Sequence, residues 1–440
     1  MTAAAKAAVV FYCKFFKEYI FIKMNLTFKH TKLACYIGYI TQAVVINLAP
    51  LLFTIFMTEF SVSYEKLANI ILINFLVQIF TDIMSVQLSR HFKLRTLVVI
   101  SHILSTVGLL FLGILPQIFE NTYVCLVIST VFYAVGGGMI EVFVNPIIDS
   151  IPEEDSKTGL AFLHSFFCWG HAAVVVITTF ILYIFGNGCW KVLVCIWSIL
   201  PLANAFLFMK VPLCDYDENG HVKNDFSLKK FFSNKIFLTA AVLMLAGGAA
   251  EQAIAQWASL FSEIGLGVSK VIGDILGPAS FAIFMGLSRL LFGVFGANLD
   301  LKKCLSFCSG TLIISYIVIV LFQNPVISLI GFMMCGFSVG LMWPGVLSLT
   351  RKSILFAGPA MFGLLSLFGD IGCSLGPWIA GVVSEKTKNA DFSRIIFFEN
   401  LSSDSICLKV GILSAIVFPI VLFVTINFFW NNLNKKKVRD

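Results

Sequence analysis

Long apolar runs recur along the whole sequence, separated by short segments that carry most of the charged residues. Each run reaches roughly the 20 residues that an α-helix needs to cross the hydrocarbon core of a bilayer. Strands of a membrane barrel span only about 9–11 residues, so runs of this length indicate helices. The pattern predicts an all-α membrane protein with twelve spanning helices, at residues 33–57, 67–88, 96–115, 123–148, 160–185, 189–209, 236–261, 275–297, 304–322, 326–349, 355–383 and 408–430.

The composition supports the same prediction. Hydrophobic residues make up 58% of the sequence and charged residues only 12%, whereas soluble domains average roughly 25% charged residues. The 12 cysteines are scattered through the apolar runs without paired spacing. They are therefore expected to be small hydrophobic residues rather than a disulfide framework.

The basic residues predict an orientation. If the N-terminus is placed in the cytoplasm, most of the 31 Lys and Arg residues fall in cytoplasmic segments. Cytoplasmic loops carry such an excess, so we predict a multi-pass protein of the cell membrane with both termini cytoplasmic. The net charge of +7 follows from this rule, and no separate basic patch indicates nucleic acid as a partner.

The charged segments also divide the chain into domains. The longest predicted cytoplasmic segment, residues 210–235, links two six-helix bundles at residues 31–209 and 236–430. Residues 1–30 are predicted to be an interfacial amphipathic lead-in, with a true start at Met24 as the alternative. A signal peptide is not predicted, because no small-residue cleavage site follows. Residues 431–440 form a basic cytoplasmic tail.

The two predicted bundles share a faint repeat. Pro146 and Pro344 lie near the cytoplasmic ends of helices 4 and 10, and Gly170 and Gly369 follow in the next helices. Parallel six-helix repeats are typical of one large group of secondary transporters, whose substrate site lies between the two halves near the midplane.

Ionisable residues inside the spans indicate a cavity or buried pairs, because each costs at least about 2.5 kcal/mol in hydrocarbon. Glu141 and Asn145 share one face of helix 4, and Gly136–Gly138 would let a ligand or a neighbouring helix approach closely. We predict that this face lines a cavity; the alternative is a buried carboxylate that only joins two helices. The full set is Asp82, His102, Glu141, His164, His171, Glu251, Arg289 and Asp370.

A second polar face lies in helix 7, in the segment AGGAAEQAIAQWASLF. Glu251 and Ser259 share one face, and Gln252 and Gln256 form the adjoining one beside Trp257. An indole beside carboxylate and carboxamide groups suits a small hydroxylated solute, whose hydroxyls need acceptors while its C–H face stacks on the ring. A polar network between helices is the alternative.

Two other patterns do not indicate chemistry. His164, Cys168 and His171 have a spacing that could hold a soft metal, but no acidic or cysteine companions accompany them, so we predict neither a metal site nor a cofactor. The segment GFSVG matches a nucleophile elbow but lies in an apolar helix, where Gly336 and Gly340 predict a packing face. We therefore predict that the protein is not an enzyme.

The sequence resembles the major facilitator superfamily and, within it, the fucose–proton symporter group of sugar permeases. The group's Glu-x-x-x-Asn-Pro element in helix 4 is matched by Glu141, Asn145 and Pro146. Its helix 5 pattern is similar to LAFLHSFFCWG, with agreement at Leu160, Phe166 and Gly170.

Two departures from the family pattern bear on ion coupling and gating. The superfamily's basic loop between helices 2 and 3 keeps only Arg90 and Lys93. The helix 1 acid that is associated with proton coupling in the symporter group is replaced by Pro50. Glu141 or Glu251 could carry a proton instead, and a uniporter or coupling to another ion are the alternatives.

The resemblance implies two six-helix bundles that rock around a central cavity, with alternating access to the two sides. The expected substrate-binding residues are Gln42, Asn47, Glu141, Asn145, His164, Glu251, Gln256, Trp257 and Trp343. The expected gating residues are Asp82 with Arg90 and Arg289 with Asp370.

We therefore predict a monomeric transporter, secondary active or facilitative, that moves a small polar solute, a sugar by resemblance. A proton or another ion is a possible co-substrate. The main alternative is an exporter of drugs or lipophilic metabolites. Two further alternatives are a membrane-embedded enzyme and a non-transporting solute sensor.

Overall fold

The computed structural model describes residues 26–89, 91–151, 156–213, 231–296, 299–354, 359–388, 390, 398 and 401–429. Within these ranges twelve helices are long and apolar enough to cross a membrane, and there is no β-strand. The prediction of an all-α membrane protein with twelve spanning helices is confirmed. The lead-in up to residue 25, residues 214–230 of the linker and the basic tail lie outside the described residues.

We name the helices α1 to α12 in chain order. They are α1 (Phe28–Leu51, continued by Phe53–Phe60), α2 (Tyr64–Leu88), α3 (Leu94–Ile118), α4 (Thr122–Asp149), α5 (Ser156–Phe185), α6 (Trp190–Trp197 and Ile199–Lys210), α7 (Lys235–Ala255, continued by Ala258–Leu260 and Phe261–Gly265), α8 (Lys270–Asp274, Ile275–Ala279 and Ser280–Phe295), α9 (Leu301–Leu321), α10 (Pro325–Gly340 and Met342–Ser353), α11 (Pro359–Thr387) and α12 (Ser403–Ser414, Val417–Val424 and Thr425–Phe429).

Several helices are interrupted within the span. Helix α1 breaks at Leu52, directly after the segment that contains Pro50, and α8 widens into a π-turn that contains Pro278. Proline lacks an amide hydrogen and its ring crowds the preceding turn, which accounts for these breaks. In α7 the regular helix stops at Ala255, so Gln256 and Trp257 form an irregular turn. Interrupted helices of this kind border the substrate site in many transporters.

Glycines allow the closest helix contacts. A Cβ atom on Gly376 of α11 would overlap the carbonyl oxygen of Ala249 in α7. Gly336 of α10 packs in the same way on the carbonyl oxygen of Phe281 in α8, and a Cβ on Gly340 would lie 2.7 Å from the carbonyl oxygen of Met285. The packing face predicted for the GFSVG segment is confirmed.

Helices α1–α6 meet α7–α12 mainly through the pairs α2 with α11 and α5 with α8. Several polar contacts between the two sets lie where α1 ends and α2 begins. The Tyr64 amide donates to Glu385 and its hydroxyl donates to Asp404, both at 3.0 Å. The Trp378 indole donates to Asn69, also at 3.0 Å. We call this end of the molecule the sealed end, and the end where α1 begins the opposite end.

Candidate functional site

Helix α4 brings Glu141 to a hydrogen-bonded chain of amide side chains. Gln42 of α1 donates to Glu141 Oε2 at 3.1 Å and to Gln78 of α2 at 2.8 Å. Two glycines make room for these neighbours. A Cβ atom on Gly137 would lie 2.6 Å from Gln42 Oε1, and one on Gly138 would lie 3.0 Å from Asp82 Oδ1. The glycine run before Glu141 therefore lets α1 and α2 approach α4 closely.

Three carboxyl groups from three helices gather beside this chain. Asp82 of α2, Glu141 of α4 and Asp370 of α11 are close enough to interact electrostatically. All three residues lie within the candidate membrane spans and are partly exposed, and the buried Asp82 Oδ1 has no hydrogen-bond partner among the described residues. We call these three residues the acidic cluster. In the part of the chain that the structure describes, no three His, Cys, Asp or Glu side chains are arranged as metal ligands.

Helices α1–α6 form the first half of the molecule and α7–α12 the second half. The second half contributes an ion pair to the polar centre. Arg289 Nη2 of α8 lies 4.0 Å from Glu251 Oε2 of α7, and Arg289 Nη1 donates to the His164 carbonyl oxygen of α5 at 3.4 Å. Glu251 also accepts from Gln252 at 3.2 Å, and Gln256 donates to Gln252 at 2.9 Å. The helix 7 polar face thus forms an internal network, and Arg289 connects it to the first half.

Helices α1, α4 and α5 each add one more polar group. Tyr39 of α1 donates to Asn145 Oδ1 at 2.7 Å, and Asn145 donates to the Glu141 carbonyl oxygen at 3.0 Å. The His164 ring packs edge-on against Tyr39 with centroids 5.3 Å apart. The side chains of Asn145 and His164 are accessible, whereas Tyr39 is buried.

Exposure of the polar groups changes along the molecule. Asn145 and His164, toward the opposite end, are accessible, whereas Gln256 and Ser262, toward the sealed end, are buried at 1% and 0% exposure. The polar centre therefore opens toward the opposite end in this conformation.

Three residues that were predicted to bind substrate are packed against the protein itself. Trp257 is 1% exposed, its indole donates to the Pro377 carbonyl oxygen at 2.9 Å, and it packs on Phe53, so its ring belongs to the sealed end. Asn47 is buried and donates to the carbonyl oxygen of Ala43 in its own helix at 2.9 Å. Trp343 is partly buried and its ring packs on Gly369 of α11.

The predicted gating pairs are arranged differently from the expectation. The carboxylate that the structure pairs with Arg289 is Glu251, while Asp370 joins the acidic cluster with Asp82. Arg90 lies outside the described residues, so its pairing with Asp82 is not described. Both expected aspartates are therefore within electrostatic range of Glu141.

The remaining ionisable groups of the spans are packed. His102 is fully buried and lies 2.8 Å from Asn204 and 2.7 Å from the Val98 carbonyl oxygen, measured to its two ring nitrogens. His171 is 2% exposed and faces the Phe281 ring. The contacts of these two histidines are those of residues that pack helices together.

Sequence reasoning missed a charged network near the sealed end. Lys270 and Asp274 form an ion pair at 3.3 Å inside α8. The predicted helix began at residue 275, which left both residues in a loop. The spacing of i and i+4 was the available signal, because it places opposite charges side by side on a helix.

Twelve apolar helices surround a polar centre that opens to one end, an arrangement typical of membrane transporters. The sequence model of the Major Facilitator Superfamily matches residues 35–377, and the chain belongs to this family. A comparison with curated protein sequences finds no significant match.

Solved structures with the same fold include three transporters of low sequence identity. A mutant of the nucleoside transporter NupG is 12% identical, with a TM-score of 0.70 over 90% of this chain and 98% of that one. A D-xylose–proton symporter is 14% identical, with a TM-score of 0.69 over 88% and 95%. The E. coli fucose–proton symporter FucP is 14% identical, with a TM-score of 0.59 over 91% and 97%.

Proposed function

We propose that the protein carries a small, hydroxyl-rich solute, a sugar or a sugar-containing molecule, across the cell membrane by alternating access. The solute binds at the polar centre between the bundles at residues 31–209 and 236–430. Glu141, Asn145 and His164 contact it, and Gln42 and Glu251 complete its hydrogen bonds. Both termini are cytoplasmic, the sealed end is extracellular, and the protein works as a monomer.

One observation supports this solute class above others. Among the described residues of the polar centre, Gln42 Oε1 and Asp82 Oδ1 are buried without a hydrogen-bond partner, and Glu251 Oε2 has only the Arg289 guanidinium 4.0 Å away. Buried polar atoms are normally paired, and an unmet one costs about 1–3 kcal/mol. A solute that supplies several donors removes this cost, and a polyol does so without bringing a charge.

The structural relatives point the same way. The three transporters compared above are named for a nucleoside, xylose and fucose, and all three kinds of solute are rich in hydroxyl groups. Two of these names include a proton. We propose proton coupling through Glu141 or Glu251, since Pro50 replaces the acid of helix 1.

Uptake by the purified protein in liposomes tests this function. The panel contains deoxy sugars, hexoses, pentoses, nucleosides and small acids, each with and without an imposed pH gradient. Uptake of a hydroxylated solute driven by the gradient supports a symporter, and uptake indifferent to the gradient supports a facilitator. Protein-free liposomes and liposomes with Glu141→Gln are the controls. Absence of uptake for every solute contradicts the proposal.

The acidic cluster favours one second candidate, an exporter of lipophilic cations. Three neighbouring carboxyl groups suit a positively charged ligand, and Arg289 pairs with Glu251 rather than with the cluster. In the same liposomes this candidate predicts extrusion of a lipophilic dye cation and no uptake of neutral sugars. The two functions therefore give opposite results in one preparation.

A further inference from the structure

A charged network around the buried Asp274 lies at the junction of α7 and α8, near the sealed end. The Lys270 ammonium lies 3.3 Å from Asp274 Oδ2 and 3.7 Å from Glu263 Oε2. Ser259 donates to Asp274 Oδ1 at 2.5 Å. Asp274 is only 1% exposed. We call Ser259, Glu263, Lys270 and Asp274 the Lys270 network.

Every member of the Lys270 network belongs to the second half, yet its charges reach into the first half. Asp274 Oδ2 accepts from Thr179 of α5 at 2.7 Å. Lys270 donates to the Leu51 carbonyl oxygen of α1 at 2.9 Å. Glu263 accepts from Thr54, also of α1, at 2.7 Å. Three charged groups thus each make one hydrogen bond across the boundary between the halves.

The contact at Leu51 has an additional electrostatic reason. Leu51 is the last residue of the segment Phe28–Leu51, whose carbonyl end carries a partial negative charge. An ammonium group is stabilised at that position. Because Lys270 and Asp274 neutralise each other within α8, they stay compensated when the halves separate. Separation then breaks the three crossing hydrogen bonds without leaving either charge unpaired.

We propose that the Lys270 network is a lock that holds the sealed end closed, in addition to the contacts of Tyr64 and Trp378 across the halves. The inference rests on the proposed alternating access, in which the sealed end must open once per cycle. Closure is stabilised by the crossing hydrogen bonds to Thr179, Thr54 and Leu51. The intra-helix pair Lys270–Asp274 keeps the lock in place on the second half while the first half moves away.

The rival interpretation is that the network only stabilises the fold. Two adjacent threonines distinguish these interpretations. Thr179 is bonded across the halves to Asp274, whereas Thr178 accepts from Trp197 at 3.0 Å within the first half. Both threonines are buried, at 2% and 1% exposure. Thr179→Val and Thr178→Val therefore make the same chemical change in the same helix, but only the first removes a crossing bond.

Hydrogen–deuterium exchange of the full-length protein in nanodiscs, without added solute, measures the opening. The peptides to follow cover residues 50–64, 174–182 and 258–275 at the sealed end. We expect Thr179→Val to speed their exchange about tenfold, the effect of losing one hydrogen bond to a charged group. The double variant Thr54→Val/Thr179→Val is expected to exchange faster than Thr179→Val alone. Thr178→Val and Thr179→Ser are expected to exchange at the wild-type rate, because the crossing bond to Asp274 remains in both.

Two outcomes overturn the proposal. Wild-type exchange rates in the double variant would mean that the crossing bonds do not hold the end closed. Equal acceleration by Thr178→Val and Thr179→Val would mean that both changes act on the fold. Folding of each variant is checked by its apparent melting temperature. Because the exchange experiment uses no solute, its result does not depend on which solute the protein carries. A negative result here therefore contradicts the proposed lock without contradicting the proposed solute class.

Discussion

The buried carboxylate of Asp274 tolerates its position because the Lys270 ammonium lies 3.3 Å away. Removing Lys270 by Lys270→Met leaves Asp274 buried at 1% exposure without its cation. Loss of one partner of a buried pair costs about 3–5 kcal/mol. We therefore expect a clear drop in the apparent melting temperature in detergent, partly recovered by Lys270→Met/Asp274→Asn.

Lys191 supplies the matched control for that measurement. It pairs with Glu59 at 2.6 Å near the same end of the molecule, but the two side chains are 28% and 35% exposed. Partly exposed pairs contribute about 0–1 kcal/mol. Lys191→Met should therefore change the melting temperature little, and an equal loss in both variants would refute the special position of Lys270.

Glu141 differs from Asp274 because its surroundings leave it accessible. It accepts from Gln42 and belongs to the acidic cluster, and within the described residues it forms no ion pair. On the proposed function, Glu141→Gln removes a charge-assisted bond to solute that contributes about 1.5–3 kcal/mol. Solute uptake should fall about tenfold or more while the melting temperature stays near the wild-type value.

The control for Glu141→Gln is Glu120→Gln, in the exposed turn between α3 and α4. It removes the same charge from a surface position and should leave uptake unchanged. Unchanged uptake in Glu141→Gln as well would remove Glu141 from the solute site.

Helix pairs depend on glycine where backbones touch. A Cβ on Gly376 would overlap the Ala249 carbonyl oxygen, whereas Gly363, in the same helix α11, has no atom within 4 Å of such a Cβ. Gly376→Ala is therefore expected to destabilise the protein by about 1–3 kcal/mol through overpacking. Gly363→Ala should be neutral or slightly stabilising, since alanine favours helix. Thermal unfolding of the two variants checks this, and equal stabilities would contradict the tight contact of α7 and α11.

The helices themselves were predictable because each needs only a local apolar run. The contacts between residues on different helices could not be predicted from such local runs. Glu141 was identified as exceptional from α4 alone, but its neighbour Asp370 lies more than 200 residues away in the chain. Trp257 was predicted to line the cavity because of its polar neighbours in α7. Its position depends instead on a residue distant in the chain, since the Pro377 carbonyl oxygen accepts its indole N–H. Asp274 was missed because Lys270 compensates its charge, so the helix extends further than hydropathy indicates.

The molecule as a whole is asymmetric between its two ends. Tyr64, Glu385 and Asp404 join the halves at the sealed end, while the polar groups toward the opposite end are accessible. With the termini in the cytoplasm, as proposed, this conformation faces inward. A small water-soluble reagent should then reach the polar centre from the cytoplasmic side alone.

Thiol labelling of His164→Cys measures this directly. His164 is exposed in the polar centre, whereas Ser262, near the sealed end, is fully buried. In inside-out vesicles an impermeant thiol reagent should modify His164→Cys well above the wild-type background and leave Ser262→Cys at that background. In right-side-out vesicles the inward-facing state protects both positions. Faster labelling of His164→Cys in right-side-out vesicles would reverse the proposed orientation. Labelling of Ser262→Cys from outside would show instead that the sealed end opens without solute.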